Sequence, residues 1–279
     1  MMIKRAISYL GSSLLWCCLT LPAKAESTLM EIQRTGILKV AIREDAAPFG
    51  YVDSKNKLQG YCLDFFTLLE EQLIKNLERS TLSVKLFKST TNNRFSLVSS
   101  DIVHLECGPN TIGVDLPENT NFSTAFSTTK TQFLIKEENH DRFKLDRDLE
   151  RIKLGVIKNT TTEKFIIDTY PSATIYQFSG ITARNRGVQA VSQGKIDAMI
   201  SDGVLLRAEI QRQGLSTSQY SLISKNSLTC DRYGMIVNQD SQWINFVDSV
   251  IKSPESAALS QAWFGNKLDS DRLASDSCN

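Results

Sequence analysis

Several polar stretches of this chain combine residue types that bind small charged molecules. One of them follows the apolar run Ile102–Leu105 and continues through Gly108, Asn110 and Thr111. The apolar run predicts a buried strand, and binding groups cluster beyond the carboxyl ends of the strands in open α/β sheets. The stretch is therefore a candidate ligand-binding loop, and an ordinary surface loop is the alternative.

Two arginines lie where a predicted element begins or ends. Arg43 follows the predicted strand Ile37–Ile42, and Arg94 lies at the start of a predicted helix. The planar guanidinium offers a carboxylate two donors in a rigid fork, which a lysine does not reproduce. An arginine at the start of a helix is ordinarily a solvated surface residue, so position alone assigns Arg94 no ligand.

A capping box and a carboxylate complete the candidate chemistry. Thr160 and Glu163 fit the capping box, in which the threonine side chain accepts a hydrogen bond from a free N–H of the helix. The free N–H groups and the positive dipole end of such a helix suit a carboxylate. Asp202 ends an apolar segment, where it could bind an ammonium group or cap a helix predicted for Gly203–Gln213.

Composition excludes some classes of protein. The chain has 279 residues, with 32 lysines and arginines against 31 acidic residues. This balance argues against nucleic acid as a partner, because nucleic-acid binding needs a basic face. The two histidines, His104 and His140, form no cluster with cysteines, and no CxxC pair is present, so neither a metal site nor a cofactor is predicted.

The first 25 residues have the pattern of a secretory signal peptide. Lys4 and Arg5 precede the apolar run Leu10–Leu21, and Ala23-Lys24-Ala25 supplies a small-x-small cleavage site. A lipoprotein anchor at Cys17 or Cys18 is the alternative. We expect export to the periplasm and, after residue 25, no further stretch that could cross a bilayer.

The exported part contains four cysteines, which allow three disulfide pairings. They are Cys62, Cys107, Cys230 and Cys278. An oxidising compartment permits disulfides, but the sequence does not choose among the pairings.

Strand and helix patterns alternate along the chain. Apolar residues recur at helical spacing over Leu63–Leu77, between the strand Ile37–Ile42 and an alternating strand at Leu82–Leu86. Strands that alternate with helices favour an α/β fold with a largely parallel sheet.

Short motifs, in a fixed order, identify a family. The chain resembles the polar amino-acid family of extracytoplasmic solute-binding proteins, and most closely the periplasmic glutamate/aspartate-binding proteins of ABC importers. The motifs that carry the resemblance are Gly60-Tyr61-Cys62-Leu63-Asp64-Phe65, Glu106-Cys107-Gly108, Thr131-Gln132-Phe133-Leu134, Lys158-Asn159-Thr160-Thr161, Gly194-Lys195-Ile196-Asp197-Ala198, Tyr233-Gly234-Met235-Ile236-Val237 and Ala262-Trp263-Phe264-Gly265.

The resemblance implies a type II periplasmic-binding-protein fold, in which two α/β lobes are joined by two crossover hinge segments. The first lobe would comprise residues 26–128 and 230–265, the second would comprise 129–229, and 266–279 would be a disordered tail. A monomer of this fold would close on an amino acid and deliver it to a membrane permease, which supplies the energy of transport with its ATPase.

The resemblance also assigns ligand-binding residues. Asp202 would take the α-ammonium group, and basic groups would take the carboxylates, which points to glutamate or aspartate. One position departs from the family, because Leu116 stands where the family has the arginine that clamps the α-carboxylate. The implied ligand-binding residues are Arg43, Phe49, Tyr51, Arg94, Gly108, Asn110, Thr111, Thr160, Thr161, Arg184 and Asp202.

Two other classes remain open. A few secreted enzymes share the fold, such as cyclohexadienyl dehydratase, and in such an enzyme Asp202 or Glu106 would act as a general acid or base. A ligand-sensing module of a signalling protein is the other alternative.

Overall fold

A computed structural model describes residues 26–224 and 229–265. The predicted signal peptide, residues 1–25, and the predicted tail, 266–279, lie outside the described residues. Within the described part of the chain, no helix is both long and apolar enough to cross a membrane.

The helices follow the predicted periodicity closely. The predicted helix at Leu63–Leu77 is confirmed as α2, and the helix predicted after Asp202 is confirmed as α6. The α-helices are α1 (Thr28–Thr35), α2 (Tyr61–Asn76), α3 (Arg94–Ser99), α4 (Thr161–Thr169), α5 (Ala183–Ser192), α6 (Gly203–Arg212), α7 (Ser241–Ile251) and α8 (Pro254–Ser260), with a 3-10 helix at Glu137–Arg142 and a π-helical turn at Gln261–Gly265.

The strands alternate with these helices, which confirms the α/β class. They are β1 (Ile37–Arg43), β2 (Asp45–Ala46), β3 (Gly50–Val52), β4 (Leu58–Gln59), β5 (Ser83–Ser89), β6 (Leu105–Cys107), β7 (Thr120–Phe122), β8 (Ser127–Thr129), β9 (Thr131–Lys136), β10 (Lys153–Ile157), β11 (Thr174–Phe178), β12 (Ala198–Asp202), β13 (Tyr220–Ile223), β14 (Asp231–Tyr233) and β15 (Ile236–Asn238).

Two five-stranded sheets organise the chain into two lobes. The first lobe is built on the order β5-β1-β6-β15-β7, and the second lobe is built on β11-β10-β12-β9-β13. In each sheet three adjacent strands are parallel, β5-β1-β6 and β11-β10-β12, so their carboxyl ends meet at one edge. The other two strands of each sheet pair antiparallel, so neither sheet is largely parallel. The strands β8 and β14 pair antiparallel as a two-stranded ribbon, where the chain enters and leaves the second lobe.

Each lobe has its own apolar core. In the first lobe, α2 contributes fully buried residues such as Phe65, Leu69 and Leu73, which pack with Trp243 of α7. In the second lobe, residues such as Phe133 and Ile166 form a separate buried cluster. Burial of apolar surface therefore stabilises both lobes and leaves the polar strand ends to face each other.

The strand predicted for Ile102–Leu105 is wrong in its position. Strand β6 begins only at Leu105 and continues through Glu106 and Cys107, which were expected to form a turn. Ile102 is 45% exposed, because it lies in the turn that ends α3. The amides of Ile102 and Val103 both donate to the carbonyl of Leu97 in that turn, so this part of the apolar run closes a helix.

A disulfide joins Cys62 of α2 to Cys107 of β6 and so selects one of the three possible pairings. Cys230 is also disulfide-bonded. The Cys62–Cys107 bond closes a loop across a sequence separation of 45 residues, between two elements of the first lobe.

We expect the Cys62→Ala/Cys107→Ala variant to lose about 2–4 kcal/mol of free energy of unfolding, because the unfolded chain gains the conformational freedom that the bond removes. Urea unfolding under non-reducing conditions measures this loss. The native protein without reductant is the comparison, and an unchanged unfolding midpoint in the variant would contradict the prediction.

Candidate functional site

A cavity lies between the two lobes. Its free volume is about 470 Å³, which includes the space open to solvent at its mouth. Residues of both lobes line it, as the strand-end arrangement requires. The lining residues are Arg43, Thr91, Arg94, Phe95, Pro109, Thr111, Val114, Thr160, Thr161, Thr162, Arg184, Ser201, Asp202 and Leu205.

Arg43 enters the cavity from the last position of β1. Its guanidinium is almost fully buried and is bound side-on by Asp45, with Nε–Oδ1 at 2.7 Å and Nη2–Oδ2 at 2.8 Å. Burial acts to lower the pKa of Arg43, but the carboxylate of Asp45 outweighs it and the pKa is raised. Arg43 therefore stays charged, with its charge balanced inside the chain.

Arg94, the first residue of α3, presents a second buried guanidinium. It is 9% exposed, and its Nε has no hydrogen-bond partner in the described part of the protein. Burial and the nearby charge of Arg43 both lower the pKa of Arg94. A guanidinium whose donors are unsatisfied and buried is a strong candidate for binding an anionic ligand.

The loop after β6 supports this side of the cavity. A Cβ added at Gly108 would lie 2.9 Å from Cγ of Arg43, so glycine leaves room for the arginine. Asn110 is buried and donates from Nδ2 to Glu106 at 2.6 Å. Thr111 lines the cavity, and its hydroxyl lies 3.4 Å from that of Thr161 in the second lobe. Gly108 and Asn110 shape the loop from behind, whereas Thr111 faces the space.

The second lobe contributes the start of α4. The predicted cap is confirmed, because Oγ1 of Thr160 accepts from the amide of Glu163 at 3.1 Å. The Glu163 carboxylate accepts from the amide of Asn159 at 2.7 Å, one residue before the position that the capping box predicts. Helix α4 therefore begins at Thr161, with its first turn against the cavity.

Asp202 lies at the carboxyl end of β12. It occupies the N-cap position of α6, but its side chain makes no capping hydrogen bond there. Burial and the charge of Asp231 raise the pKa of Asp202 to about 6, against the opposing effects of Tyr233 and Arg184. The carboxylate of Asp202 lines the cavity, which makes it a candidate for binding a cationic group.

Arg184 of α5 reaches across to the first lobe. Its Nη1 donates to the main-chain carbonyl of Asp45 at 2.7 Å, and its Nε has no hydrogen-bond partner among the residues described. Burial is the main cause of its lowered pKa. The side chain both bridges the lobes and leaves one donor free.

Five residues that the family pattern singled out lie off the cavity lining: Gly108 and Asn110, described above, and Phe49, Tyr51 and Leu116. Phe49 is fully buried in the first-lobe core, where its ring packs edge-on against Tyr233 at 5.4 Å. Tyr51 lies 5.5 Å beneath the guanidinium of Arg212. Leu116, at the position of the family's clamping arginine, is half-buried and is not among the residues that line the cavity.

The sequence patterns missed several residues of the site. Phe95, Val114, Ser201 and Leu205 line the cavity, and Asp45 holds Arg43. Only Ser201 had a local signal, because it directly precedes Asp202 at the end of a strand. Apolar lining residues resemble core residues in sequence, since both are partly buried.

Comparisons with known proteins agree with this architecture. A sequence model of the bacterial extracellular solute-binding proteins, family 3, matches residues 38–266. The chain is 26% identical over 243 residues to the "Glutamate/aspartate import solute-binding protein" of Escherichia coli strain K12, covering 86% of this chain and 79% of that one.

A second relative and a solved structure extend the comparison. The "L-glutamate/L-aspartate-binding protein" of Pseudomonas aeruginosa is 25% identical over 213 residues, which cover 74% of this chain and 70% of that one. The crystal structure of the ancestral amino acid-binding protein AncCDT-1, a precursor of cyclohexadienyl dehydratase, superposes with a TM-score of 0.70 at 22% identity, covering 86% of this chain and 100% of that one. The type II periplasmic-binding-protein fold is thereby confirmed, and the chain belongs to family 3 of the bacterial extracellular solute-binding proteins.

Proposed function

We propose that this protein binds an acidic amino acid between its lobes and delivers it to the membrane permease of an ABC importer. In this proposal it works in the periplasm, after export by its signal peptide, as a monomer that undergoes no chemical reaction with its ligand. The names of the two bacterial relatives, which both specify glutamate and aspartate, support the ligand class.

One observation carries the proposal. Within the residues that the structure describes, the buried guanidiniums of Arg94 and Arg184 have unpartnered Nε donors at a cavity that the carboxylate of Asp202 also lines. Buried charges are costly unless a partner compensates them. A ligand with two carboxylates and one ammonium group would satisfy all three side chains at once.

The proposed ligand contacts follow from this pairing. The ammonium group would bind Asp202, and the two carboxylates would bind Arg94, Arg184 and the start of α4. Because the family's clamping arginine is replaced by Leu116, the α-carboxylate would bind the α4 amides, and Arg94 and Arg184 would bind the side-chain carboxylate. The contact set that we propose is Arg43, Arg94, Thr111, Thr160, Thr161, Arg184 and Asp202.

Thermal unfolding with a panel of amino acids tests the function. We expect L-glutamate or L-aspartate at 100 times its dissociation constant to add about 2.7 kcal/mol of stability. Glutamine and glutarate are the matched controls, since each lacks one charged group of glutamate. If no amino acid raises the unfolding temperature, the proposal is contradicted, and other anions become the candidate ligands.

An enzymatic function is the second candidate, because the raised pKa of Asp202, about 6, suits a general acid or base. Glu106, the other candidate from the sequence, is fully buried behind the cavity, where it accepts from Ser89 and Asn110. Incubation of a bound ligand with the protein, followed by NMR, separates the two functions. We expect an unchanged ligand, whereas conversion to a product would favour the enzyme.

A further inference from the structure

Asp45 binds the guanidinium of Arg43 along the side of the fork that a ligand carboxylate would use. Two parallel contacts, at 2.7 Å and 2.8 Å, join the two groups. The side chains are only 2% and 9% exposed, so water screens the pair weakly. Bidentate, charge-assisted hydrogen bonds of this kind are among the strongest in proteins. A carboxylate of the protein therefore already occupies two of the five N–H donors of Arg43.

Asp45 also contacts the second lobe. Its main-chain carbonyl accepts from Nη1 of Arg184 at 2.7 Å. One residue thus touches two of the three guanidiniums that line the cavity, through its side chain in one case and its backbone in the other. The position of Asp45 relative to both arginines is fixed by these contacts.

The three guanidiniums need a counterion. Burial is the main cause of the lowered pKa of Arg94 and of Arg184, and the charge of Arg43 lowers both further, so Arg43 repels each of them. Burial acts to raise the pKa of Asp45, but Arg43 and then Arg184 outweigh it and the pKa is lowered. Asp45 is therefore ionised and offsets one of the three positive charges.

The charge of the cavity depends on this pairing. Arg43, Arg94 and Arg184 line the cavity with Asp202, Asp45 binds Arg43, and the buried Glu106 also acts on the pKa of Arg43 and of Arg94. Loss of the charge of Asp45 would make this cluster more positive by one unit and would open the fork of Arg43 to the ligand.

We propose that Asp45 is a positioning residue that limits the preference of the cavity for acids over amides, by taking the charge of Arg43 out of ligand recognition. This inference rests on the proposed function. Arg94 and Arg184 then discriminate between a carboxylate and an amide, and Arg43 contacts the ligand without discriminating.

Calorimetric titration of the exported protein with L-glutamate and L-glutamine tests the inference. The Asp45→Asn variant should raise the ratio of glutamate affinity to glutamine affinity at least tenfold, because the freed Arg43 fork can bind a carboxylate but gains little from an amide. Asparagine has the same size as aspartate, its Oδ1 can still accept from Nε of Arg43, and the backbone carbonyl still serves Arg184.

Two variants control for charge and for side-chain identity. Glu44→Gln makes the same change of charge one residue away, at a carboxylate that pairs with the exposed Lys88, and should leave the ratio within threefold. Asp45→Glu keeps the charge and should do the same. A ratio that Asp45→Asn leaves unchanged, with both affinities lowered together, would assign Asp45 a structural role only and overturn the inference.

A double variant covers the case in which Asp45→Asn does not fold. Arg43→Gln/Asp45→Asn removes both charges together and keeps the net charge of the cavity. The ratio should stay within threefold of the native value, and a ratio that collapses towards one would overturn the inference, because Arg43 would then be the residue that discriminates. A native protein that binds neither amino acid would instead overturn the proposed function, and the inference with it.

Discussion

Replacement of Asp202 with asparagine is expected to weaken binding of an acidic amino acid by about two to three orders of magnitude. Removal of one partner from a buried charge pair costs about 3–5 kcal/mol, because the other charge stays buried without compensation. Here the uncompensated group would be the ammonium of the ligand. Calorimetric titration with L-glutamate measures the loss.

The same variant should be more stable than the native protein when no ligand is present. The pKa of Asp202 is about 6 in the fold, above its ordinary value of 3.8. The folded state therefore holds its proton more tightly than the unfolded state, and ionisation costs stability as pH rises from about 4 to 6. At pH 7.5 the native protein carries this cost, of about 3 kcal/mol, and the asparagine variant does not.

The pH dependence of glutamate affinity is a second test of whether Asp202 binds the ammonium group of the ligand. Only the ionised carboxylate of Asp202 binds an ammonium group, so glutamate affinity should fall about tenfold per pH unit below pH 6 and stay level between 7 and 8. Asp231, Tyr233 and Arg184 act on this carboxylate, and of these only Asp231 has a raised pKa in the acidic range. Asp202→Asn should abolish most of the pH dependence.

Asp197→Asn is the matched control for these measurements. Asp197 accepts from the amide of Lys153 and pairs with Arg142 at the other end of the sheet, outside the cavity. Its replacement should leave glutamate affinity unchanged. Equal affinity of native protein and the Asp202→Asn variant would contradict the ammonium assignment and leave the ligand without a known cationic contact.

Replacement of Arg94 with glutamine is expected to lower glutamate affinity about a hundredfold and glutamine affinity far less. Hydrogen bonds to a charged group contribute about 1.5–3 kcal/mol each, and the guanidinium of Arg94 has a free buried Nε to offer. Its removal also relieves an uncompensated buried charge, so the empty variant should lose little stability. Parallel titrations with the two amino acids measure the difference.

Two further variants test whether the planar fork matters. Arg94→Lys keeps the positive charge without the bidentate geometry, and should recover only part of the glutamate affinity. Arg186→Gln removes an exposed arginine that donates to the carbonyl of Ser179 outside the cavity, and should change neither affinity. An equal loss for both ligands in Arg94→Gln would contradict side-chain recognition by this residue.

Local patterns in the sequence were sufficient for the elements that carry the site. The cap at Thr160, the helix after Asp202 and the strand before Arg43 all form as predicted. Each depends on residues within a few positions of one another, through capping bonds or through apolar periodicity. Where a turn competed with a strand, as at Ile102, the short apolar run could not distinguish them.

Contacts between distant parts of the chain could not be predicted from these local patterns. Cys62 could have paired with any of three cysteines, and its bond to Cys107 depends on how α2 packs against β6. Phe49 lies in a loop that was predicted to line the ligand cleft. Its ring instead packs against Tyr233 and Phe126, which places it in the core. Such choices depend on which surfaces meet after the sheets form.

The sequence by itself determined that this chain is an α/β solute-binding protein and which strand ends carry its charged residues. Only the tertiary structure decided which of those charged residues contact one another. Asp45 is two residues from Arg43 and 139 from Arg184, yet it contacts both. The pairing of buried charges depends on the distances between them and on their desolvation in the folded state. Neither quantity can be predicted from local sequence patterns.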